Sequence, residues 1–359
     1  MFSPILEIVI FGHLRFSESQ HMTTPLQNPI QLFKSSTKDQ FSSSRFKFYS
    51  KMKVLVLGAS GFIGNAVTLA FVRAGHIVYG QTRDPEVGKE LSKEEVIPIL
   101  CDPYTDEGKD VYAPIAKQVD VFVDCLKSGG AEKALGTLNH FLSLVQSRPK
   151  AGPKPTYIYC GGLWSWSRGS GGLESWTDER QPRSEYNPAV AWREKVEEPL
   201  LLDERIYGTV IRASMLYGRS GSHVGRNIFE VAFQAATNGN GVFETLGKED
   251  TRLQTIHADD LAELFVRVGE RGPICRGQTF LGANPQSESL LDLLNAVIRV
   301  SGCKGYKLLG PKTPYDDCWV STLNLRPSLG YALTGWQPRK MSLVDSMDTL
   351  WTAYLAHRE

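Results

Sequence analysis

Three glycines at GxxGxxG spacing are the residues of this chain best suited to binding a phosphate group. Gly58, Gly61 and Gly64 stand between a continuous apolar run and a stretch with helical periodicity. Glycine allows a tight turn and a close backbone approach, and a helix N-terminus presents free N–H donors to an anion. The spacing predicts a dinucleotide-binding turn, with a tight turn that binds no ligand as the alternative. Backbone contacts to the cofactor are predicted at Gly58, Ser60, Gly61, Phe62, Ile63 and Gly64.

The residues about 20 positions beyond this turn help to select between NAD and NADP. NAD sites commonly carry Asp or Glu there, whereas this chain reads Gln81-Thr82-Arg83. A guanidinium pairs with a 2′-phosphate that a carboxylate would repel, so Arg83 predicts NADP(H), with NAD the less favoured cofactor. The alternative is a solvated arginine paired with Asp84. Asp102 is either a partner for the adenine or its ribose or an aspartate of a turn.

The glycine turn must be positioned by a sheet and by the helices that cover it. Apolar runs typical of strands buried on both faces lie at 54–57, 77–79, 96–100, 119–123, 157–159 and 209–211. Helices are predicted at 65–74, 131–146, 188–203 (with Asn187 as N-cap), 259–268, 289–300 and 342–357. This alternation predicts an α/β fold, a doubly wound parallel sheet with a smaller C-terminal substrate-binding lobe.

Composition shifts divide the chain into three predicted parts. Residues 1–51 are polar, rich in Ser and Thr and without periodicity, so we expect a flexible leader that ends where Met52 precedes the first strand. Its acidic residues disfavour organelle import. Residues 52–220 are predicted to form an NAD(P)-binding domain. Residues 221–359 are predicted to form mainly the substrate lobe, with some segments returning to the first domain.

The overall composition favours a soluble enzyme that acts on a small molecule. The 359 residues are 42% hydrophobic and 22% charged, with a formal net charge of +1, which gives no reason to expect nucleic acid or a membrane surface as partner. No apolar run is long enough to span a bilayer. The six cysteines form no CxxC pair and no metal-ligand spacing, so we expect no metal site and a reducing, cytoplasmic location.

Three segments resemble the extended short-chain dehydrogenase/reductase family, including its NAD-dependent epimerase/dehydratase and atypical reductase branches, over roughly residues 53–350. Residues 54–64 look like its first strand and glycine turn, and residues 256–262 like its His-Val-Asp-Asp signature. Residues 210–218 are similar to its arginine–proline strand ending in Tyr-Gly, with Ala213 in place of proline. The resemblance implies a Rossmann domain, a bound nicotinamide cofactor and a possible homodimer.

The resemblance also implies a catalytic Ser, Tyr and Lys, with Tyr and Lys spaced as YxxxK. In that chemistry the tyrosine exchanges a proton with the substrate oxygen, and the lysine lowers the tyrosine pKa and binds the nicotinamide ribose. Lys195 fits the lysine, but the position four residues before it is Ala191. The serine position falls on Gly161 or Gly162. Only the lysine is carried over.

Other side chains are candidates for the missing groups, each with a structural alternative. Tyr186 precedes the helix that bears Lys195, and is otherwise a packing aromatic. Ser165 lies after the fifth strand, and is otherwise a solvated hydroxyl. Cys160 and Cys125 are placed near the nicotinamide, Cys160 as a catalytic candidate and Cys125 as a cofactor contact, and are otherwise small buried residues at strand ends.

Two further features have a predicted role. In the resembling family the signature that contains His257 is mainly structural, so we expect Asp259 to cap the following helix and Asp260 to support it. Four tryptophans near the predicted site either form an apolar substrate pocket or pack in core and loops; they are Trp164, Trp166, Trp176 and Trp192.

The sequence therefore favours an NADP(H)-dependent oxidoreductase of the extended or atypical type, acting on a carbonyl or alcohol of a small organic molecule. One alternative is a redox-inactive NADP(H)-binding sensor or scaffold, which the missing tyrosine and serine motivate. A nucleotide-sugar epimerase or dehydratase is another, although its chemistry needs the tyrosine more visibly.

Overall fold

Apolar segments that are buried on both faces build the central sheet. The structure is a computed structural model that describes residues 51–149, 152–165, 176–180, 187–219 and 221–358. The predicted leader, except for its last residue, and the candidates Tyr186 and Trp166 lie outside the described residues.

The elements alternate between strand and helix in the first part of the chain. In chain order they are β1 (Lys53–Leu57), α1 (Phe62–Arg73), β2 (Ile77–Thr82), α2 (Pro85–Lys93), β3 (Ile97–Leu100), α3 (Asp106–Ala116), β4 (Val121–Asp124), α4 (Ala131–Gln146), β5 (Thr156–Gly162), α5 (Glu194–Leu202), β6 (Tyr207–Ala213) and β7 (Met215–Tyr217). Short 3-10 turns at Leu163–Ser165 and Ala191–Arg193 follow β5 and precede α5.

The later elements mix short strands and helices. They are α6 (Glu230–Asn238), β8 (Val242–Leu246), β9 (Arg252–His257), α7 (Ala258–Glu270), α8 (Gly272–Cys275), β10 (Thr279–Gly282), β11 (Ser287–Ser289), α9 (Leu290–Ser301), β12 (Gly305–Leu309), α10 (Pro314–Val320), α11 (Leu329–Thr334) and α12 (Met347–Ala356). A π-helical turn, Gly225–Phe229, leads into α6.

Seven parallel strands form the main sheet in the order β10-β6-β5-β4-β1-β2-β3. The chain runs outward from β1 through β2 and β3, then returns to the other side of β1 with β4. The carboxyl ends of β1 and β4 therefore lie at the point where the winding direction reverses, and such a switch point opens a crevice for a ligand. The predicted doubly wound α/β sheet is confirmed.

Alternate side chains of the central strands enter two different cores. Val54 and Val56 of β1 pack in the layer that contains α1 and α7, whereas Leu55 and Leu57 pack in the layer with α3 and α4. All four are fully buried. A strand covered by helices on both faces needs apolar residues at every position, which is why β1 reads as a continuous apolar run.

A third core lies in the region after β6. It joins the π-helical turn, β8, α9 and α12 through buried residues that include Phe229, Phe243, Leu293 and Trp351. Two small sheets accompany it, β11-β9-β7 and β12-β8. β10 instead leaves this region and pairs with β6 at the edge of the main sheet.

Two helices begin later than the periodicity predicts. Residues 188–190 form a turn because the Asn187 side chain accepts a hydrogen bond from Ala189 N–H at 2.9 Å, and α5 proper begins only at Glu194. The last helix begins at Met347 rather than residue 342. Over the described residues, none of the helices combines the length and the apolar character needed to cross a membrane.

Candidate cofactor site and active site

In the glycine turn between β1 and α1, backbone segments pack so closely that two of the glycine positions have no room for a side chain. Gly58 has a φ of +78°, and a Cβ there would lie 2.8 Å from the carbonyl oxygen of Cys125. A Cβ at Gly64 would lie 2.0 Å from the carbonyl oxygen of Gly58. The helix can approach the turn this closely only because both positions lack a side chain. Cys125 thus contacts the turn through its backbone.

The first turn of α1 is open to an anion. Gly61 is the N-cap and offers no side-chain hydrogen bond to the helix amides, and the first turn contains no acidic residue. Ser60 and Gly61 are exposed, and Phe62 and Ile63 are half-buried. The uncapped N–H groups and the helix dipole together favour a negatively charged group at this position.

Gln81, at the end of β2, fixes the turn in place. Its buried amide oxygen accepts a hydrogen bond from Gly58 N–H at 2.9 Å, and its amide nitrogen donates to the carbonyl oxygen of Cys101 at 2.7 Å. The backbone carbonyl of Gln81 also accepts from Ala59 N–H at 3.0 Å. One side chain therefore connects the glycine turn with the segment that follows β3.

Arg83 and Asp102 lie together at the outer end of the crevice. The Arg83 side chain is 73% exposed, and its Nη1 lies 4.0 Å from Asp102 Oδ2. Asp102 also accepts a hydrogen bond from Tyr104 N–H at 3.0 Å, as an aspartate of a turn does. Asp84, the alternative partner for Arg83, instead caps α2 by accepting from Glu86 N–H at 2.8 Å. Arg83 is therefore only loosely paired and can turn towards a ligand.

Cys125 and Cys160 lie side by side at the carboxyl ends of β4 and β5. The parallel register pairs Asp124 with Tyr159. Cys125 and Cys160 directly follow these two residues and therefore lie next to each other. Both cysteines are half-buried. A hydrogen bond with the Cys160 thiol and burial raise the pKa of Cys125 well above its usual range, which keeps it a neutral thiol. Both cysteines thus lie at the switch-point edge.

Asp124 places a carboxyl group on the other face of β4. It is 2% exposed and accepts hydrogen bonds from Leu126 N–H and from the Tyr157 hydroxyl, both at 3.0 Å. Burial raises the pKa of Asp124 to about 6, although these hydrogen bonds oppose the shift. No sequence pattern had marked this residue. Its raised pKa alone does not make it catalytic, since it packs in the layer of α3 and α4.

The two glycines at the end of β5 differ in the space around them. A Cβ at Gly161 would lie 3.0 Å from Glu197 Oε1 and 3.2 Å from Arg212 Cγ, whereas no described atom lies within 4 Å of a Cβ at Gly162. Glu197 of α5 and Arg212 of β6 form a fully buried ion pair, with Arg212 Nε 3.2 Å from Glu197 Oε2. Of the two, Gly162 is the position that could carry a side chain such as serine.

In the described part of the chain, Arg193 rather than Lys195 contacts the end of β5. Arg193 Nη1 donates to the Tyr159 hydroxyl at 3.2 Å and lies 3.5 Å from the Cys160 carbonyl oxygen, and the guanidinium packs 4.9 Å from the Trp192 ring. Lys195 is exposed and contacts no acceptor or carboxylate among the described residues. Sequence reasoning missed Arg193 because it followed the YxxxK spacing, which gives no information on side-chain direction at a helix start.

Ser165 and Ala191 complete the expected catalytic region. Ala191 opens the 3-10 turn before α5 and is half-buried. The Ser165 hydroxyl is fully buried and has no hydrogen-bond partner within the described segments. Ser165 is therefore not the solvated hydroxyl of the sequence-based alternative.

Basic side chains approach the open end of α1 from the loop before the π-helical turn. A Cβ at Gly221 would lie 3.1 Å from the Phe62 ring, so this loop passes against the first turn of α1. His223 is half-buried, and burial together with the charges of Arg226 and Lys127 lowers its pKa. Lys127 follows β4. The positive charge on this side of the crevice therefore comes from Lys127 and Arg226, while His223 is neutral near pH 7.

A cavity of about 340 Å³ lies beyond this loop. It is lined by Met215, Asn227, Ile228, Glu244, Thr245, Leu246, Leu253, Leu290, Leu309, Tyr315, Asp316 and Trp319. A second cavity, of about 420 Å³, is lined by polar and charged residues around Arg252 and Lys340. Only the first of these two has aromatic walls.

His257 has the structural role expected of its signature, but it also takes the role predicted for Asp259. His257 is the N-cap of α7, and its Nδ1 accepts a hydrogen bond from Asp259 N–H at 3.1 Å. Asp259 lies in the first helical turn and pairs with Arg219 at 2.7 Å. The prediction that Asp259 caps the helix is wrong, because extended backbone at His257 ends the strand one residue before the helix begins.

A doubly wound parallel sheet with a glycine-rich turn at its switch point defines a Rossmann-fold protein. The family model described as "NAD dependent epimerase/dehydratase family" matches residues 54–274, and the chain belongs to this family. No curated protein sequence matches the chain significantly.

Solved structures of this fold resemble the chain at low sequence identity. Human epimerase family protein SDR39U1 (isoform2), solved with NADPH, is 18% identical with a TM-score of 0.62, covering 84% of this chain and 99% of that one. UDP-glucuronic acid 4-epimerase from Bacillus cereus, solved with NAD, is 16% identical with a TM-score of 0.65, covering 86% and 100%. dTDP-glucose 4,6-dehydratase from Bacillus anthracis, also solved with NAD, is 14% identical with a TM-score of 0.68, covering 85% and 97%. At these identities the likeness establishes the fold.

Proposed function

We propose that this protein is an NADP(H)-dependent oxidoreductase that moves a hydride between the nicotinamide and a carbonyl or alcohol carbon of a small organic molecule. The observation that carries the proposal is the glycine turn at the switch point of the sheet, with Arg83 directly after the neighbouring strand β2. Membership in the NAD dependent epimerase/dehydratase family supports the cofactor class.

The residues around the turn suit a dinucleotide. A side chain at Gly58 or Gly64 would meet backbone at 2.8 Å or 2.0 Å, so this part of the crevice is built of backbone alone. The free amides of the first turn of α1 would hold the diphosphate, and Lys127, which follows β4, adds positive charge on this side of the crevice. The fit is therefore electrostatic as well as steric.

Arg83 favours NADP(H) over NAD. Structural neighbours include proteins solved with NADPH and with NAD, so the choice rests on this chain's own residues. Residues 81–83 contain no carboxylate that would repel a 2′-phosphate, and the exposed Arg83 guanidinium has, within the described part of the chain, one ion-pair contact, at 4.0 Å to Asp102. Breaking so weak an ion pair costs little free energy, so the guanidinium can bind a phosphate instead.

The chemistry divides between the cofactor and the chain. A bound nicotinamide supplies or accepts the hydride. The Arg193 guanidinium donates to the Tyr159 hydroxyl and lies 3.5 Å from the Cys160 carbonyl oxygen, and would orient polar groups at the end of β5. Gly161, Gly162 and Ala191 have no proton to give, so the proton for a substrate oxygen would come from solvent.

Calorimetry with the full chain tests the cofactor half. We expect NADPH to bind more tightly than NADH, and Arg83→Ala to weaken NADPH binding about tenfold, the loss of one charge-assisted contact, while leaving NADH unchanged. The matched control is Arg73→Ala, an exposed arginine in the last turn of α1, at the far end of that helix from the glycine turn. Tighter binding of NADH, or no binding to folded protein, would contradict the proposal.

Turnover separates the oxidoreductase from a redox-inactive NADP(H)-binding protein, which the glycines at 161 and 162 and Ala191 favour as a second candidate. Purified protein is incubated with NADPH and a panel of aldehydes, ketones and quinones, and absorbance at the NADPH band is followed. Ala191→Tyr combined with Gly162→Ser should raise the rate roughly 10²-fold, a usual gain from a positioned proton donor. NADPH binding without turnover in either protein would favour the sensor.

A further inference from the structure

The 340 Å³ cavity is connected to the end of β5 by aromatic rings. Trp319 of α10 lines the cavity, and its ring centroid lies 5.5 Å from that of Trp164, which follows β5 by two residues. Tyr315 also lines the cavity and packs edge-on against Trp164 at 5.0 Å. Trp164 therefore joins the cavity to the strand end where Gly162 and Arg193 lie.

Much of the remaining wall is apolar. β7, the π-helical turn and α9 contribute side chains, as do β8, β9 and β12. The apolar lining residues are Met215, Ile228, Leu246, Leu253, Leu290 and Leu309. Aromatic rings on one side and aliphatic side chains on the other are the surroundings in which a flat hydrophobic ring packs best.

The charged groups of the lining are both acidic. Glu244 contacts Lys307 at 2.8 Å, and Asp316 accepts hydrogen bonds from the backbone N–H groups of Lys312 and Thr313, each at 3.0 Å. These contacts lower the pKa of both carboxyl groups, so both are ionised near neutral pH. No arginine, lysine or histidine is among the described lining residues.

Two basic residues lie behind the aromatic wall: the His223 ring packs edge-on against Trp319 with centroids 6.1 Å apart, and the charge of Arg226 opposes the rise that burial causes in the pKa of Tyr315. The pKa of His223 is lowered by burial and by the charges of Arg226 and Lys127, so this histidine is neutral near pH 7.

The two acidic side chains of the lining disfavour a nucleoside diphosphate. A diphosphate in this cavity would lie close to Glu244 and Asp316 and would have to leave water without a cation in the described lining to replace it. The neutral polar groups at hand, Asn227 and Thr245, suit a single hydroxyl or carbonyl. The volume is near the lower end of the range for ligand pockets, and suits one or two rings.

We propose that this cavity binds an uncharged aromatic carbonyl compound or the corresponding alcohol, with its ring against Trp319 and Tyr315. This inference rests on the proposed function and names the substrate class of the same site. In the reducing direction the carbonyl carbon gains a hydride as NADPH becomes NADP⁺, and the carbonyl oxygen gains a proton from water. The C=O π bond becomes the C–H and O–H bonds of the alcohol.

Binding is tested without turnover by titrating NADP⁺-saturated protein with 4-phenylbutan-2-one, a ketone that the oxidised cofactor cannot reduce. We expect calorimetry to detect the ketone, and UDP-glucose to bind at least tenfold more weakly. Trp319→Ala should weaken the ketone at least tenfold while leaving NADP⁺ affinity within twofold of the parent protein. The matched control is Trp176→Ala, an exposed tryptophan that packs against Arg326 and does not line the cavity.

A second variant tests the electrostatic part separately. Glu244→Gln removes one negative charge and frees Lys307, so UDP-glucose should gain affinity while the ketone changes by less than twofold. Tighter binding of UDP-glucose than of the ketone to the parent protein, or an equal loss of ketone binding in Trp319→Ala and Trp176→Ala, would overturn the inference.

The two proposals fail in different ways. Failure of NADP⁺ to bind folded protein removes the proposed function, and the ketone and UDP-glucose titrations are then made without cofactor, so that the ligand class of the cavity is still measured. NADP⁺ binding with no binding of the ketone overturns the substrate class and leaves the cofactor half standing.

Discussion

The glycine turn after β1 and the glycine pair at the end of β5 lie on the same edge of the sheet, yet glycine is there for different reasons. In the turn, Gly64 is required because a side chain would meet the backbone of Gly58 at 2.0 Å. At the strand end, no atom of the described residues lies within 4 Å of a Cβ at Gly162, so packing against these residues does not exclude a larger side chain. The contrast teaches that glycine is fixed by backbone packing in the turn, whereas at position 162 no contact among the described residues requires it.

The largest expected effect comes from the buried ion pair that supports the strand end. Glu197→Gln should lower the free energy of unfolding by about 3–5 kcal/mol, because Arg212 loses the carboxylate it contacts in a fully buried site. Urea denaturation measures the loss, with the exposed neighbour Glu198→Gln as control. A loss of similar size in the two variants would show that the strand end does not depend on this pair.

The second largest effect is expected from a side chain placed in the glycine turn at position 64. Gly64→Ala should destabilise the protein by roughly 3 kcal/mol and abolish dinucleotide binding, because the turn and helix must separate to admit a methyl group. Gly136→Ala is the control, since it lies exposed within α4 with no described atom within 4 Å of its Cβ and should stabilise by about 0.5–1 kcal/mol. Thermal unfolding and calorimetry of both variants decide whether position 64 differs from an ordinary helical glycine.

The buried carboxyl on β4 adds a pH dependence. The pKa of Asp124 in the folded protein is about 6, above the ordinary 3.8, so folding favours the protonated form. The stability it contributes is present below the ordinary pKa and is lost as pH rises through 6. Asp124→Asn should therefore gain on the order of 2–3 kcal/mol relative to the parent protein between pH 4 and 7.

Urea denaturation at a series of pH values measures this difference. The exposed Asp110→Asn, on α3, serves as control and should follow the parent profile. Parallel profiles for the parent protein and Asp124→Asn would mean that Asp124 ionises normally in the folded chain.

The smallest effect should come from filling the open position. Gly162→Ser should change the free energy of unfolding by less than about 0.5 kcal/mol, the usual range for a substitution that disturbs no contact. Gly161→Ser should cost more, because its Cβ would lie 3.0 Å from Glu197 Oε1. Equal costs at the two positions would remove the distinction between them.

The sequence predicted those parts of the site that depend on local pattern. The buried run of β1 and the glycine turn follow from residue types and spacing, and so does the place of Arg83 after β2. The sequence also predicts the helix α1, but this helix begins at Phe62, three residues before the predicted start. The predicted Rossmann sheet is confirmed for the same reason, because strands buried on both faces are recognisable as apolar runs.

Features that depend on tertiary contact could not be predicted in this way. Arg193 points at Tyr159 because α5 begins later than its periodicity indicates, and a spacing motif does not report where a helix starts. The cavity is connected to the end of β5 by the contact between the rings of Trp164 and Trp319, which are 155 positions apart in the chain. A contact between residues so far apart leaves no periodic pattern in the local sequence. His257 rather than Asp259 caps α7 because the backbone is extended at His257, and sequence pattern does not report the conformation of a single residue.

The amide of Gln81 affects the thermodynamics of ligand association. Since it is hydrogen-bonded to Gly58 on one side and to Cys101 on the other, the loop that would face a phosphate is already ordered before any ligand arrives. The loop therefore loses little conformational entropy on binding. Most of the unfavourable entropy of association should come from the ligand, which loses its own freedom of motion. A preorganised receptor of this kind needs no slow rearrangement before capture.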